Sequence, residues 1–166
     1  MDNILSRRSI RKFLDKPVSD EHITSILRAA MSAPSAGNGQ PWEFIVIKNK
    51  DILMQVPELH PYAKMAAEAP ISIVVCCDTS KKPREGFWMQ DLSAASQNIL
   101  LAANSLGLGS VWCGIYPNEE RTKVFQDLLE MPSDVYPLNI IPIGYPAEKK
   151  DPADRYDEEK IHIDYW

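Results

Sequence analysis

Residues 71–77 read ISIVVCC, a run with no charge and an apolar side chain at nearly every position. Successive side chains of a strand point to opposite faces. A strand that is apolar on both faces has to be covered on both, so this run calls for a buried sheet with helices on either side. The rest of the chain supplies them. Pro17 and Ser19 open one helix, with Ser19 as its cap, Asp20 and Glu21 at its positive end, and Ile23, Ile26, Leu27 and Ala30 on one face. Pro34 bounds it. The longest periodic segment, 86–106, carries Leu92, Ala95, Ile99, Ala102, Ala103 and Leu106 at helical spacing, with Gly107 placed to cap it. This stripe is rich in small residues and would let another element approach closely.

Shorter helices are expected over 2–8, near Asp51, over 62–68, and from Asn118, Glu119 and Glu120 to about Glu130. Further strands are expected at 43–48 (EFIVIK), 109–115 (GSVWCGI) and 136–143 (YPLNIIPI). The end of the chain, DEEKIHIDYW, sets Ile161, Ile163 and Tyr165 in the alternation of a half-buried strand, although frayed termini are common. Strands and helices do not follow strict βαβ order. The expected class is therefore α+β: a mixed central β-sheet flanked by helices, as a single domain over residues 1–166.

Composition narrows the function. The 166 residues carry a net charge of −5, which argues against a general nucleic-acid or anionic-membrane binder. No apolar run approaches the roughly 20 residues that span a bilayer. The N-terminal stretch MDNILSRRS has no apolar signal core. Cys76, Cys77 and Cys113 are odd in number, include an adjacent pair and form no C-x-x-C. That pattern is neither a disulfide framework nor a zinc site, and it fits reduced thiols in the cytoplasm. His22, His60 and His162 are scattered, so no metal is expected.

Two stretches stand out chemically. Residues 7–13, RRSIRKF, put three arginines and a lysine around Ser9 in an acidic chain. Guanidinium groups match phosphate oxygens bidentately, so the cluster is either a site for one discrete phosphate or a solvated basic turn. Residues 33–42, APSAGNGQPW, place Ser35, Asn38 and Gln40 between two prolines. Such a loop can offer a polar edge to a flat heterocycle, or serve as an ordinary helix-to-strand connection. The tryptophans read as core or interface anchors, and Phe87-Trp88 as a pair able to line a pocket.

Taken together, RR-S-x-R, A-P-S-x-x-N-x-Q-P-W, SLGLGSVWCG, and IGYP followed by Arg155 resemble the FMN-dependent nitroreductase family, over nearly the whole chain from Arg7 to Tyr165. The resemblance implies a flavoprotein fold whose C-terminal strand is exchanged between the subunits of a homodimer. It implies bound FMN, with Arg7 at the phosphate, Arg8 and Ser9 beside the ribityl-phosphate, Arg11 near the flavin N1 and O2 edge, and Arg155 and Gly144 in a late phosphate-binding loop. Pro34, Ser35, Ala36, Asn38 and Gln40 match the loop that closes over the flavin from the other subunit. Cys113 and Gly114 match the segment whose backbone N–H groups face flavin N5 and O4, so Cys113 is read as a small buried hydrophobe and not a nucleophile.

The implied activity is oxidoreduction: NADH or NADPH reduces the flavin, which reduces a nitroaromatic, quinone or related acceptor. Other implied readings are an FMN carrier or redox sensor, or a specialised relative acting in dehalogenation, azoline oxidation or flavin breakdown. The chain departs from longer relatives in lacking helical insertions. It carries no G-x-G-x-x-G dinucleotide fingerprint.

Overall fold

A computed structural model describes residues 1–166. The helices are α1 (Asp2–Ser6), α2 (Asp20–Met31), α3 (Lys50–Leu59), α4 (Trp88–Ser105) and α5 (Glu119–Leu128). The strands are β1 (Trp42–Ile47), β2 (Ile71–Asp78), β3 (Gly109–Ser110), β4 (Cys113–Gly114) and β5 (Val135–Gly144). They form one sheet in the order β1-β2-β5-β3, with β4 also on β5. The ladders are antiparallel, and Ser9 adds a single parallel bridge to Ser110.

The sheet has a core on each face, as ISIVVCC demands. Ile71, Ile73, Val75 and Cys77 join Ile26 and Ala30 of α2 and Leu92, Ala95 and Ile99 of α4. Val74 and Cys76 point the other way and join Leu53 and Val56 of α3 and Phe125 of α5. The result is three layers: α2 and α4, the sheet, then α3 and α5.

The strand expected over 109–115 is broken into two short pieces, and Pro142 explains the break. Val111 N–H donates to the Pro142 carbonyl at 3.3 Å. An extended residue turns its N–H and C=O to the same edge. Pro142 therefore has no donor to return there, and the ladder lapses between β3 and β4. The second proline of the strand, Pro137, pairs with Cys76 where the β2–β5 register shifts.

Side chains close the helix ends as their types predict: Ser19 Oγ accepts from His22 N–H, and Asn118 Oδ1 accepts from Arg121 N–H. Gly107 follows α4 with φ of 72°, a left-handed turn that other residues rarely adopt. Most of the small-residue stripe of α4 is covered within its own chain. Leu92, Ala95, Ile99 and Ala103 are fully buried, and Asn98 Nδ2 donates to Ala29 O of α2. The closely approaching element is α2 of the same chain. At the far end, Asn3 and Asn104 tie α1 to the last turns of α4.

The C-terminal segment makes no strand with its own chain. Beyond a short turn at Glu158–Lys160, residues 161–166 lie exposed, including Ile161, Ile163, Tyr165 and Trp166. β1 is an edge strand, paired only with β2. No helix is long and apolar enough to cross a membrane.

Candidate active site

After α1 the chain runs along β3. Ile10 N–H donates to Ser110 O at 3.0 Å, which holds residues 7–11 against the sheet edge. Arg8 Nε donates to Asp151 O at 2.7 Å, while its Nη2 is buried without a partner. Burial holds the Arg7 pKa below its ordinary value, and the nearby charges of Arg8 and Arg155 lower it further. No carboxylate pairs with any of the three. Two arginines from residues 7–8 and one from the late segment thus converge, mutually repelling, with an orphaned guanidinium nitrogen among them. That donor set fits an oxyanion with several oxygens, such as a terminal phosphate. Lys150 Nζ donates to Ser9 O at 2.7 Å and pairs with Glu148, closing the flank.

Arg11 stands four residues along, about 13 Å of extended chain from Arg7. Its backbone N–H donates to Glu148 Oε1 at 2.6 Å. Its charge reaches Cys113, where it works against the burial that pushes the thiol up to about 11. Cys113 is therefore a neutral thiol near pH 7. Its Sγ lies 3.5 Å from Tyr62 O and 4.0 Å from Met65 Sδ. Tyr62 itself is 75% exposed beside it.

Behind this segment, Gly114 O accepts from His60 Nε2 at 2.8 Å and from Arg121 Nη1 at 3.0 Å. Tyr62 N–H donates to His60 Nδ1 at 3.3 Å, so its two partners assign the ring as neutral with the proton on Nε2. Burial lowers the His60 pKa, and Arg121 lowers it further against the opposing pull of the Gly114 carbonyl.

The 33–42 loop lies elsewhere. Ala36 N–H donates to Asp91 Oδ1 at 2.9 Å, in the first turn of α4. Gln40 N–H donates to Ser35 Oγ at 3.1 Å and Gln40 Nε2 to Asn38 Oδ1 at 2.9 Å, with Asn38 and Gln40 both at positive φ. Beside it is a cavity of about 370 Å³ lined by Pro34, Ser35, Ala36, Arg84, Phe87 and Asp91, among others. Phe87 thus lines a pocket, whereas Trp88 packs edge-on against Tyr116. Ser6, just before Arg7, is held by Asn104 instead, and Arg8 lines a cavity with both. Thirteen residues of helix separate Asp91 from Asn104, about 20 Å. One chain does not bring the two motifs together. Gly144 is explained by packing: a Cβ there would come within 2.6 Å of Pro70 Cδ and 3.0 Å of Phe13.

The family's model matches residues 4–66 and 58–145. The chain belongs to the nitroreductase family. A protein of Methanothermobacter thermautotrophicus provisionally named NADH dehydrogenase/NAD(P)H nitroreductase is 50% identical over 166 residues, covering 100% of this chain and 87% of its own. The oxygen-insensitive NADPH nitroreductase of Salmonella typhimurium is 31% identical over 170 residues, covering 95% and 70%. Among solved structures, an FMN-dependent nitroreductase from Clostridium difficile superposes with a TM-score of 0.92 at 33% identity, covering 100% of both chains. In this nitroreductase-family chain, sequence reasoning did not single out His60, Tyr62, Asp91 or Arg121. His60, Arg121 and Asp91 meet backbone groups of the motifs, and Tyr62 meets His60 and Cys113 through its own backbone, roles that leave no mark in residue spacing.

Proposed function

We propose that this nitroreductase-family chain is an FMN-dependent NAD(P)H oxidoreductase that works as a homodimer. The observation that carries the reading is the clustering of Arg7, Arg8 and Arg155 with no carboxylate partner, with Arg11, whose charge reaches Cys113, four residues on from Arg7. Bound FMN would supply hydride and electron transfer from NADH or NADPH to a nitroaromatic, quinone or related acceptor. The chain's own residues bind and orient it. Arg7 and Arg155 neutralise the phosphate, with Arg8 and Ser9 beside it. Arg11 supplies a fixed cation where reduction places negative charge on the ring. The Gly114 N–H, at the edge turned away from β5, offers a donor that needs no particular side chain.

The separation of about 20 Å along α4 supports a second subunit in the site. A two-fold axis beside this helix sets each loop, with Pro34, Ser35, Ala36, Asn38 and Gln40, opposite the other subunit's arginines. The same symmetry offers the unpaired tail a place. The outer edge of β1 borders an apolar groove formed by Ile45, Ile47, Ile52, Leu128 and Leu129, and a strand carrying Ile161, Ile163 and Tyr165 fits both edge and groove.

Purified protein should carry a flavin absorbance, and FMN should be released on denaturation. Anaerobic addition of NADH or NADPH should bleach it. A protein that neither retains nor rebinds FMN overturns the cofactor reading. A yellow protein that both nucleotides leave oxidised is a carrier or sensor instead.

A further inference from the structure

The Gly114 carbonyl sits at the open edge of β4. Cys113 pairs with Ile140 and Ile115 N–H donates to Leu138 O, so those two residues face β5. Gly114, between them, faces away from β5, and an extended residue directs its N–H and C=O to one edge. An edge carbonyl can be satisfied by water. Here two side chains from separate elements reach it: His60 from the end of α3 and Arg121 from the first turn of α5. His60 is only 1% exposed and its second nitrogen is taken by Tyr62 N–H, so the ring cannot turn without losing both bonds. Both lone pairs of the oxygen are occupied, one by a cationic donor.

We infer that His60 and Arg121 are positioning residues for the redox reaction: by holding the Gly114 carbonyl they fix the backbone orientation of Gly114 and thereby aim its N–H. The inference rests on the reading that this N–H meets the flavin. His60 fixes the direction of the residue, and Arg121 places a positive charge beside the donor, at the edge to which the N–H points. A preset dipole of this kind favours the cofactor form that has gained negative charge.

The test uses the full-length, FMN-loaded protein and three variants: Arg121→Met, His60→Phe and His60→Gln. Each is followed by its thermal unfolding midpoint, by fluorescence titration of oxidised FMN, and by the two-electron potential of the bound flavin. Arg121→Met and His60→Phe should weaken binding of reduced FMN about tenfold more than binding of oxidised FMN, read as a potential about 30 mV lower. His60→Gln, which keeps an Nε2 donor, should restore most of the wild-type potential. A residue that only stabilises the fold would move the unfolding midpoint and leave the potential in place. Arg121 is half-buried near the surface, so its variant keeps the test open where His60→Phe does not fold. An unchanged potential in folded, flavin-loaded Arg121→Met overturns this inference alone. Failure of the wild-type protein to bind FMN overturns the cofactor reading, and this inference with it.

Discussion

Ala36 N–H donates to Asp91 Oδ1 at 2.9 Å, and this bond sets which end of α4 the 33–42 loop occupies. Asp91 is 6% exposed and has no cationic partner, so its role is to receive that loop. Asp91→Ala leaves a backbone donor without its acceptor, and the expected loss of stability is about 1–3 kcal/mol. Asp91→Asn keeps an Oδ1 acceptor and should lose less. Urea unfolding of the two variants measures the difference. Because the proposed flavin site borrows this loop from the other subunit, FMN retained per dimer should fall in the same order.

Arg7→Ala should weaken FMN binding by roughly 1.5–3 kcal/mol, about ten- to a hundredfold, the range for a lost charge-assisted hydrogen bond. The variant should also relieve repulsion from Arg8 and Arg155, so the apoprotein should be no less stable than wild type. Flavin fluorescence titration gives the dissociation constant. An unchanged value removes Arg7 from the phosphate site.

The layered fold was legible because its signals are local. ISIVVCC announces a strand buried on both faces, and Ser19 and Asn118 cap the helices that their side chains suggest. The arginine cluster and the loop were legible as motifs. Three things were not. The break at 111–112 depends on Pro142, some thirty residues away, and shows only once the register is known. The small-residue stripe of α4 fits any close neighbour, and spacing does not say that α2 takes the place. His60 and Arg121 act on a carbonyl, and no sequence pattern records which side chain a backbone oxygen will meet.

His60 gives a pH signature. Its pKa in the fold lies below the ordinary 6.5, chiefly through burial. As pH falls through about 6.5 the unfolded chain takes up a proton at this ring while the folded chain stays neutral. The unfolded state then binds more protons, so stability drops with acidification from about pH 6.5 down to the folded pKa and is unaffected well above it. Denaturation midpoints of wild type and His60→Gln across this window should diverge, with the variant showing the flatter profile. Parallel profiles would assign the acid sensitivity to other groups.

The proposed assembly turns on the C-terminal segment. Ile161, Ile163, Tyr165 and Trp166 are exposed in the single chain, and β1 presents six residues of unpaired strand edge beside an apolar groove. Exposed edges and exposed apolar tails both invite aggregation, and each here has the shape to cover the other. In an exchanged dimer the tail of one subunit adds to the β1 edge of its partner, and the interface behaves as a divided core of more than roughly 2,000 Å². Deleting residues 160–166 should then cost the dimer and the flavin together, because each proposed site draws on both chains. Sedimentation with absorbance detection at the flavin band reads both at once. A truncated protein that stays dimeric with stoichiometric FMN makes the tail dispensable. A truncated monomer that keeps its FMN places the whole flavin site within one chain, contrary to the 20 Å separation of its two motifs along α4.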